Sequence, residues 1–177
     1  MTYAGIGSRE TPPDVCEDMR LAARRLGQLG YTLRSGGAAG ADEAFRLGSA
    51  GYPQQIFTPW RGFIRDPAAD AAAIVVTECD TYHDALRIAE KFHPNWSACS
   101  PGARKLHARN VMQILGKDLC TPSQFVICWT KTGGPYGGTG QALRLAAGLG
   151  VPVWNLKLPQ RRQALAAMLA NLEALRA

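Results

Sequence analysis

The sequence has no apolar run approaching the roughly 20 residues that a membrane-crossing helix needs, so a membrane span is not expected. It has no C-x-x-C pair, and its five cysteines (Cys16, Cys79, Cys99, Cys120, Cys128) are an odd number spread along the chain. A disulfide framework is therefore not expected, in keeping with a reducing compartment. Cys79 and His83 lie four apart, and His93, Cys99 and His107 follow, but the paired ligand spacing of a structural zinc site is missing. No metal is expected. Met1 leads straight into a strand-like run with no basic segment and apolar stretch ahead of it, which reads as no secretion signal and a cytoplasmic protein. No linker, repeat or low-complexity segment breaks the chain, and one domain over residues 1–177 is expected. A chain of this length buries roughly 70% of its unfolded surface and needs no cross-link to hold a core.

What the sequence does have is glycine, 19 residues of it, and positive charge, with 20 Lys and Arg against 14 Asp and Glu for a net +6. That field favours acidic ligands, nucleotides and nucleic acids alike. Arg24 with Arg25 and Arg161 with Arg162 read as solvated helix faces.

Strand-like and helix-like segments alternate. TYAGI is followed by GSRETPP, where Ser8 or Thr11 can cap a helix over about 13–26 whose Val15, Met19, Ala22 and Leu26 share a face. YTLRS gives a second strand and SGGAAGAD leads to a helix from Ala41 to Leu47. QQIFTP reads as a third strand, and PAADAAAIVV as a short helix and a buried run. Residues 80–119 are helical in pieces, broken at His93-Pro94 and Ser100-Pro101-Gly102. FVICW is a buried strand, TGGPYGGTG a loop, QALRLAAGL a helix, VPVWN a strand, and 160–176 a last helix. This alternation predicts an α/β fold, a Rossmann-like parallel sheet flanked by helices on both faces. Ligands bind such sheets at the carboxyl ends of the strands, where the glycine loops must lie.

Three loops carry the candidate chemistry. Gly7, Ser8 and Arg9 follow the first strand, where free N–H groups of a helix start and the Arg9 fork suit a phosphate; an ordinary tight turn is the bland alternative. Ser35, Gly36, Gly37 and Gly40 leave little side chain in the way of a ligand, and Asp42 can accept from a ribose hydroxyl or simply favour the helix start. Gly133, Gly134, Gly137, Gly138, Thr139 and Gly140 form the most glycine-dense stretch, shaped like an anion nest, with a surface loop as the alternative. Neither the full G-x-G-x-x-G fingerprint nor a Walker G-K-[ST] is present. In the helical segment LHARNVMQI, His107 and Asn110 share a face, and Arg109 is either a solvated helix arginine or a two-pronged partner for phosphate.

Together YAGIGSRETP, LRSGGAAGADEAF, LHARNVMQILG and FVICW with GGTGQALRLA resemble the SLOG superfamily, named after Smf/DprA and the Lonely Guy enzymes, and most of all its small DprA-like phage and prophage members. The resemblance spans about residues 3–155. It implies a Rossmann-like fold whose loops hold a nucleotide, a nucleotide-derived signal or single-stranded DNA, and a homodimer or larger assembly. It also implies that Arg109 takes the arginine position of a nucleoside-monophosphate phosphoribohydrolase, while the glutamate expected after the phosphate loop falls on Ala142, beside Gln141. Glu10, Asp42 or Glu43 would have to supply the missing carboxylate. DprA-like strand binding would draw on aromatics, which are scattered here: Trp60, Phe63, Tyr82, Phe92, Trp96 and Tyr136. The expected ligand is nucleotide-like, with no cofactor identified. Gly7, Ser8, Arg9, Gly36, Gly37, Gly40, Gly137, Gly138 and Thr139 would hold its phosphate and sugar. Arg109 would reach in from its helix, Asp42 and Gln141 would lie near the sugar or base, and Ser35, Asn110 and Gly140 complete the candidate set.

Overall fold

The computed structural model describes residues 1–175. Strand β1 (Thr2–Gly7) is the middle of the chain's sheet. It pairs in parallel with β2 (Thr32–Gly36) on one side and with β5 (Val126–Trp129) on the other. β3 (Gln54–Thr58) and the two-residue β4 (Ile74–Val75) extend the sheet beyond β2, and β6 (Val153–Asn155) extends it beyond β5. The order is β4-β3-β2-β1-β5-β6, all parallel, which makes the fold α/β and Rossmann-like as expected. The chain winds outward from β1 in one direction and then returns to wind out in the other. The switch point therefore falls between the carboxyl ends of β1 and β5.

Both sheet faces are buried, and the strands alternate between them. On β5, Ile127 and Trp129 join Tyr3 under α1 (Pro13–Gln28), α2 (Ala41–Gly48) and α7 (Pro159–Ala174). Val126 and Cys128 instead join Ala4 and Ile6 under α4 (Tyr82–Lys91), α5 (Pro101–Leu115) and α6 (Gly137–Gly148). Cys128 is thus a core residue. The amphipathic face expected of α1 packs as read, with Val15, Met19, Ala22 and Leu26 all buried. α3 (Pro67–Ala72) is the short helix expected before the buried run, and β4 is what remains of that run. The paired arginines tie α7 to α1: Arg25 Nε donates to Glu173 at 2.6 Å, and Arg162 pairs with Asp14 and Asp18. Among the described residues no helix is long and apolar enough to cross a membrane.

Some helix ends depart from the sequence reading. α1 has no side-chain cap; Thr11 spends its hydroxyl on the Ser8 carbonyl at 2.7 Å, and Pro12 sits at the cap position. α6 begins at Gly137, four residues before the expected Gln141, because glycines can enter a helix whose packing comes from the turns that follow. α7 runs to Ala174, and residue 176 of the expected helix lies outside the described residues.

Candidate functional site

A cleft of about 490 Å³ opens at the switch point, within the roughly 300–1,000 Å³ of small-molecule sites. One wall is the turn after β1, with Gly7, Ser8, Arg9 and Glu10; the opposite wall is the turn after β5, with Thr130, Lys131 and Tyr136, running into Gly137, Gly138 and Thr139 of α6. The floor comes from α5, whose His107, Arg109, Asn110 and Gln113 face the opening, and from Asp42 in the first turn of α2.

The floor is a connected polar network. Arg109 Nη1 donates to Asp42 Oδ2 at 2.7 Å, and both side chains are almost fully enclosed. Burial pushes the Asp42 carboxyl above the usual range, and the Arg109 guanidinium opposes that rise. With its amide assigned to suit its neighbours, Gln113 accepts from the Gly36 N–H at 2.7 Å and from Arg109 at 2.9 Å, and donates to Asn110. Asn110 Nδ2 in turn donates to the Gly138 carbonyl at 2.8 Å, which ties α5 to the start of α6. Gln113 lies one turn beyond Arg109, so its i,i+4 spacing was a readable signal.

His107 sits at the edge of this floor, 8% exposed, and its Nδ1 is buried without a hydrogen-bond partner. Burial, with the neighbouring His93, Arg109 and Arg144 charges adding to it, holds the imidazole down at about 4. It is neutral at physiological pH.

The opposite wall offers unspent donors. α6 starts without a capping side chain, and a Cβ on Gly137 or Gly138 would meet nothing within 4 Å. Unsatisfied N–H groups and the positive end of the helix dipole therefore face open space. Two bonds brace the preceding turn: Thr130 donates its hydroxyl to the Gly134 carbonyl at 2.8 Å, and Asn155 donates to Thr130 at 2.7 Å. Lys131 and Glu10 face each other across the mouth at 3.5 Å, and Tyr136, 60% exposed, stands beside them.

No protein-family model, curated protein or solved structure matches this chain. The residues themselves sort the expectations. Gly7, Ser8, Arg9, Asp42, Arg109, Asn110, Gly137, Gly138 and Thr139 meet in the cleft. Six other candidates do not line it. Ser35 is fully buried and donates to the Gly5 carbonyl at 2.6 Å. A Cβ on Gly36 would fall on Arg109 Nη1 and Asp42 Oδ2, so this glycine makes room for the ion pair instead of for a ligand. Gly37 belongs to a neighbouring depression that shares Arg9 and Ala38 with the cleft. Gly40, at φ 82°, lets the turn after β2 press against the Ser8 and Arg9 backbone. Gly140 packs on the Pro135 carbonyl, and Gln141 is turned into the core with no exposure. Thr130 and Lys131 are cleft residues that the sequence reading passed over, although they precede the glycine stretch it selected, and Tyr136, named there only among the scattered aromatics, lines the cleft as well.

Proposed function

We propose that the cleft binds a nucleotide or a nucleotide-derived phosphorylated ligand. The observation that carries this reading is the convergence of the β1 turn and the open, uncapped start of α6 on one cleft at the switch point. A phosphate placed there meets backbone N–H groups, with Arg9 and Lys131 to balance its charge. Asn110 is in reach of a sugar, and Tyr136 offers a face for a base. A homodimer or larger assembly and a cytoplasmic setting belong to the same proposal and rest on the sequence alone.

Hydrolysis of an N-glycosidic bond finds less support. Ala142 is buried in the core, Asp42 is committed to Arg109, and the remaining cleft carboxylate, Glu10, stands at the exposed mouth beside Lys131. A carboxylate poised against positive charge on a sugar is what that chemistry needs.

Native mass spectrometry of the freshly purified protein, followed by its denatured extract, tests the reading and counts subunits. A stoichiometric phosphorylated mass is the expected result; an empty protein that also fails to bind nucleoside monophosphates in calorimetry would sink it. Gly138→Val localises the site. Gly138 has no left-handed φ and no atom near its Cβ position, so stability should stay within about 1 kcal/mol of wild type, since only helix propensity changes. Affinity for a nucleoside monophosphate should fall at least tenfold, and unchanged affinity would place the phosphate elsewhere. Single-stranded DNA separates the remaining alternative. Strand binding through phosphates weakens steeply with salt, whereas the cleft reading expects weak oligonucleotide binding; tight, steeply salt-dependent binding would move the assignment to DNA.

A further inference from the structure

Beside the cleft, the connection between α4 and α5 folds back over the second turn of α5. His93 leaves α4, Cys99 sits immediately before the Ser100 cap and Pro101 that start α5, and His107 follows two turns on. Cys99 Sγ lies 3.7 Å from each ring nitrogen of His93, and the His93 and His107 rings are 4.5 Å apart between centroids. One ligand atom from each of the three lies within 4.8 Å of the others. Bond lengths of about 2.3 Å to sulfur and about 2.0 Å to nitrogen put those atoms about 3.5 Å apart across a tetrahedral angle, so the cluster is close to that size before any ion enters. Residues 93 and 99 are half-buried, and His107 is buried with its Nδ1 unpartnered.

We propose that His93, Cys99 and His107 form a binding site for a borderline transition-metal ion such as zinc(II). The inference departs from the sequence reading, which expects no metal, because the spacing 93, 99, 107 matches no short ligand motif until the connection folds back. Two imidazoles and a thiolate suit this class of ion, and three protein ligands leave a coordination position for water or another small ligand. The surrounding charge is positive. Arg104 lies over Trp96, which packs against both His93 and His107, and Arg109 and Arg144 act on His107. A dication held there by neutral imidazoles alone would be repelled, so the Cys99 thiolate is the ligand that carries the affinity. His93 Nδ1 accepts from the Asn95 N–H at 3.2 Å, a contact that ligation through Nε2 would leave in place.

The test is titration of the full chain, stripped of metal by chelator and dialysed, with cobalt(II) and then zinc(II). The expected result is one cobalt per chain, a thiolate-to-cobalt charge-transfer band in the near ultraviolet, visible bands of tetrahedral intensity, and displacement by one equivalent of zinc. Cys99→Ser should abolish the charge-transfer band and His93→Gln should weaken cobalt binding at least tenfold, while Cys120→Ser, at an exposed cysteine elsewhere, leaves both unchanged. A wild-type protein without the band, or a band that survives Cys99→Ser, overturns the proposal. A measurement on unmutated protein guards against misfolded variants: zinc should slow alkylation of Cys99 at least tenfold and leave Cys120 unaffected, and equal rates would also overturn it. No nucleotide enters either experiment, so the outcome is independent of the phosphorylated-ligand reading.

Discussion

Arg109→Met is expected to lower stability in urea denaturation by about 3 kcal/mol, the cost of stranding one partner of a buried ion pair. Asp42 is 2% exposed, and Arg109 is its ion-pair partner. Removing the guanidinium leaves a carboxyl that burial already pushes upward, and the group must take up a proton or stay charged in a dry site. The sign of the pH dependence follows. A carboxyl whose folded pKa lies above its unfolded value of about 3.9 binds more protons in the folded state, so its contribution to stability falls as pH rises. The deficit of Arg109→Met should therefore be small near pH 4 and widen toward neutrality. Asp42→Asn in the same chain should recover at least half of the loss, because a neutral amide is far cheaper to bury than a charge. Additive losses in the double variant would show that the pair is not the source of the effect. Ligand affinity should drop with Arg109→Met as well, since Arg109 lines the cleft floor and holds Gln113 in place.

Gly40→Ala should cost about 4 kcal/mol, from backbone strain and overpacking together. Gly40 sits at φ 82° and ψ −123°, a region that side chains rarely enter. Its Cβ would stand 2.7 Å from the Ser8 carbonyl oxygen, 2.8 Å from that of Arg9 and 2.9 Å from the Arg9 Cα. All three are backbone atoms, so no rotamer change relieves the clash, and the turn after β1 must move. That turn carries Ser8 and Arg9, so under the proposed function the same substitution should weaken nucleotide binding even at temperatures where the variant stays folded. Chemical denaturation together with calorimetry checks both effects; a variant as stable as wild type would show that the two turns do not press together at Gly40. The contrast with Gly138 is instructive. Two glycines from the loops selected for one reason have opposite roles, one closing backbone on backbone and the other leaving space open.

The alternation of strand and helix, the apolar run at 125–129 and the face of α1 were legible because short-range periodicity reports burial directly. β4 was less so: only Ile74 and Val75 pair with β3, and a two-residue strand leaves no period to read. The start of α6 was hidden for a related reason, since Gly137, Gly138 and Gly140 have no side chains with which to signal a helix.

Composition and pattern by themselves determined a parallel α/β sheet with glycine turns at the carboxyl ends of its strands, and together with the resemblance they named nine of the residues that meet in the cleft. Spacing alone left Arg109 undecided between solvent and the cleft, because a charge on a helix is free to face either way until its neighbours are known. Tertiary structure settled it by setting Asp42 of α2 opposite Arg109 of α5, 67 positions away in the chain. The same holds for Gly36 and Gly40, whose purpose lies in what packs against them, and for His93, Cys99 and His107, brought together when one connection folds over α5. Periodicity is a property of neighbours along the chain. Charge pairing, close backbone approach and ligand clusters depend on neighbours in space, which the winding of the sheet decides.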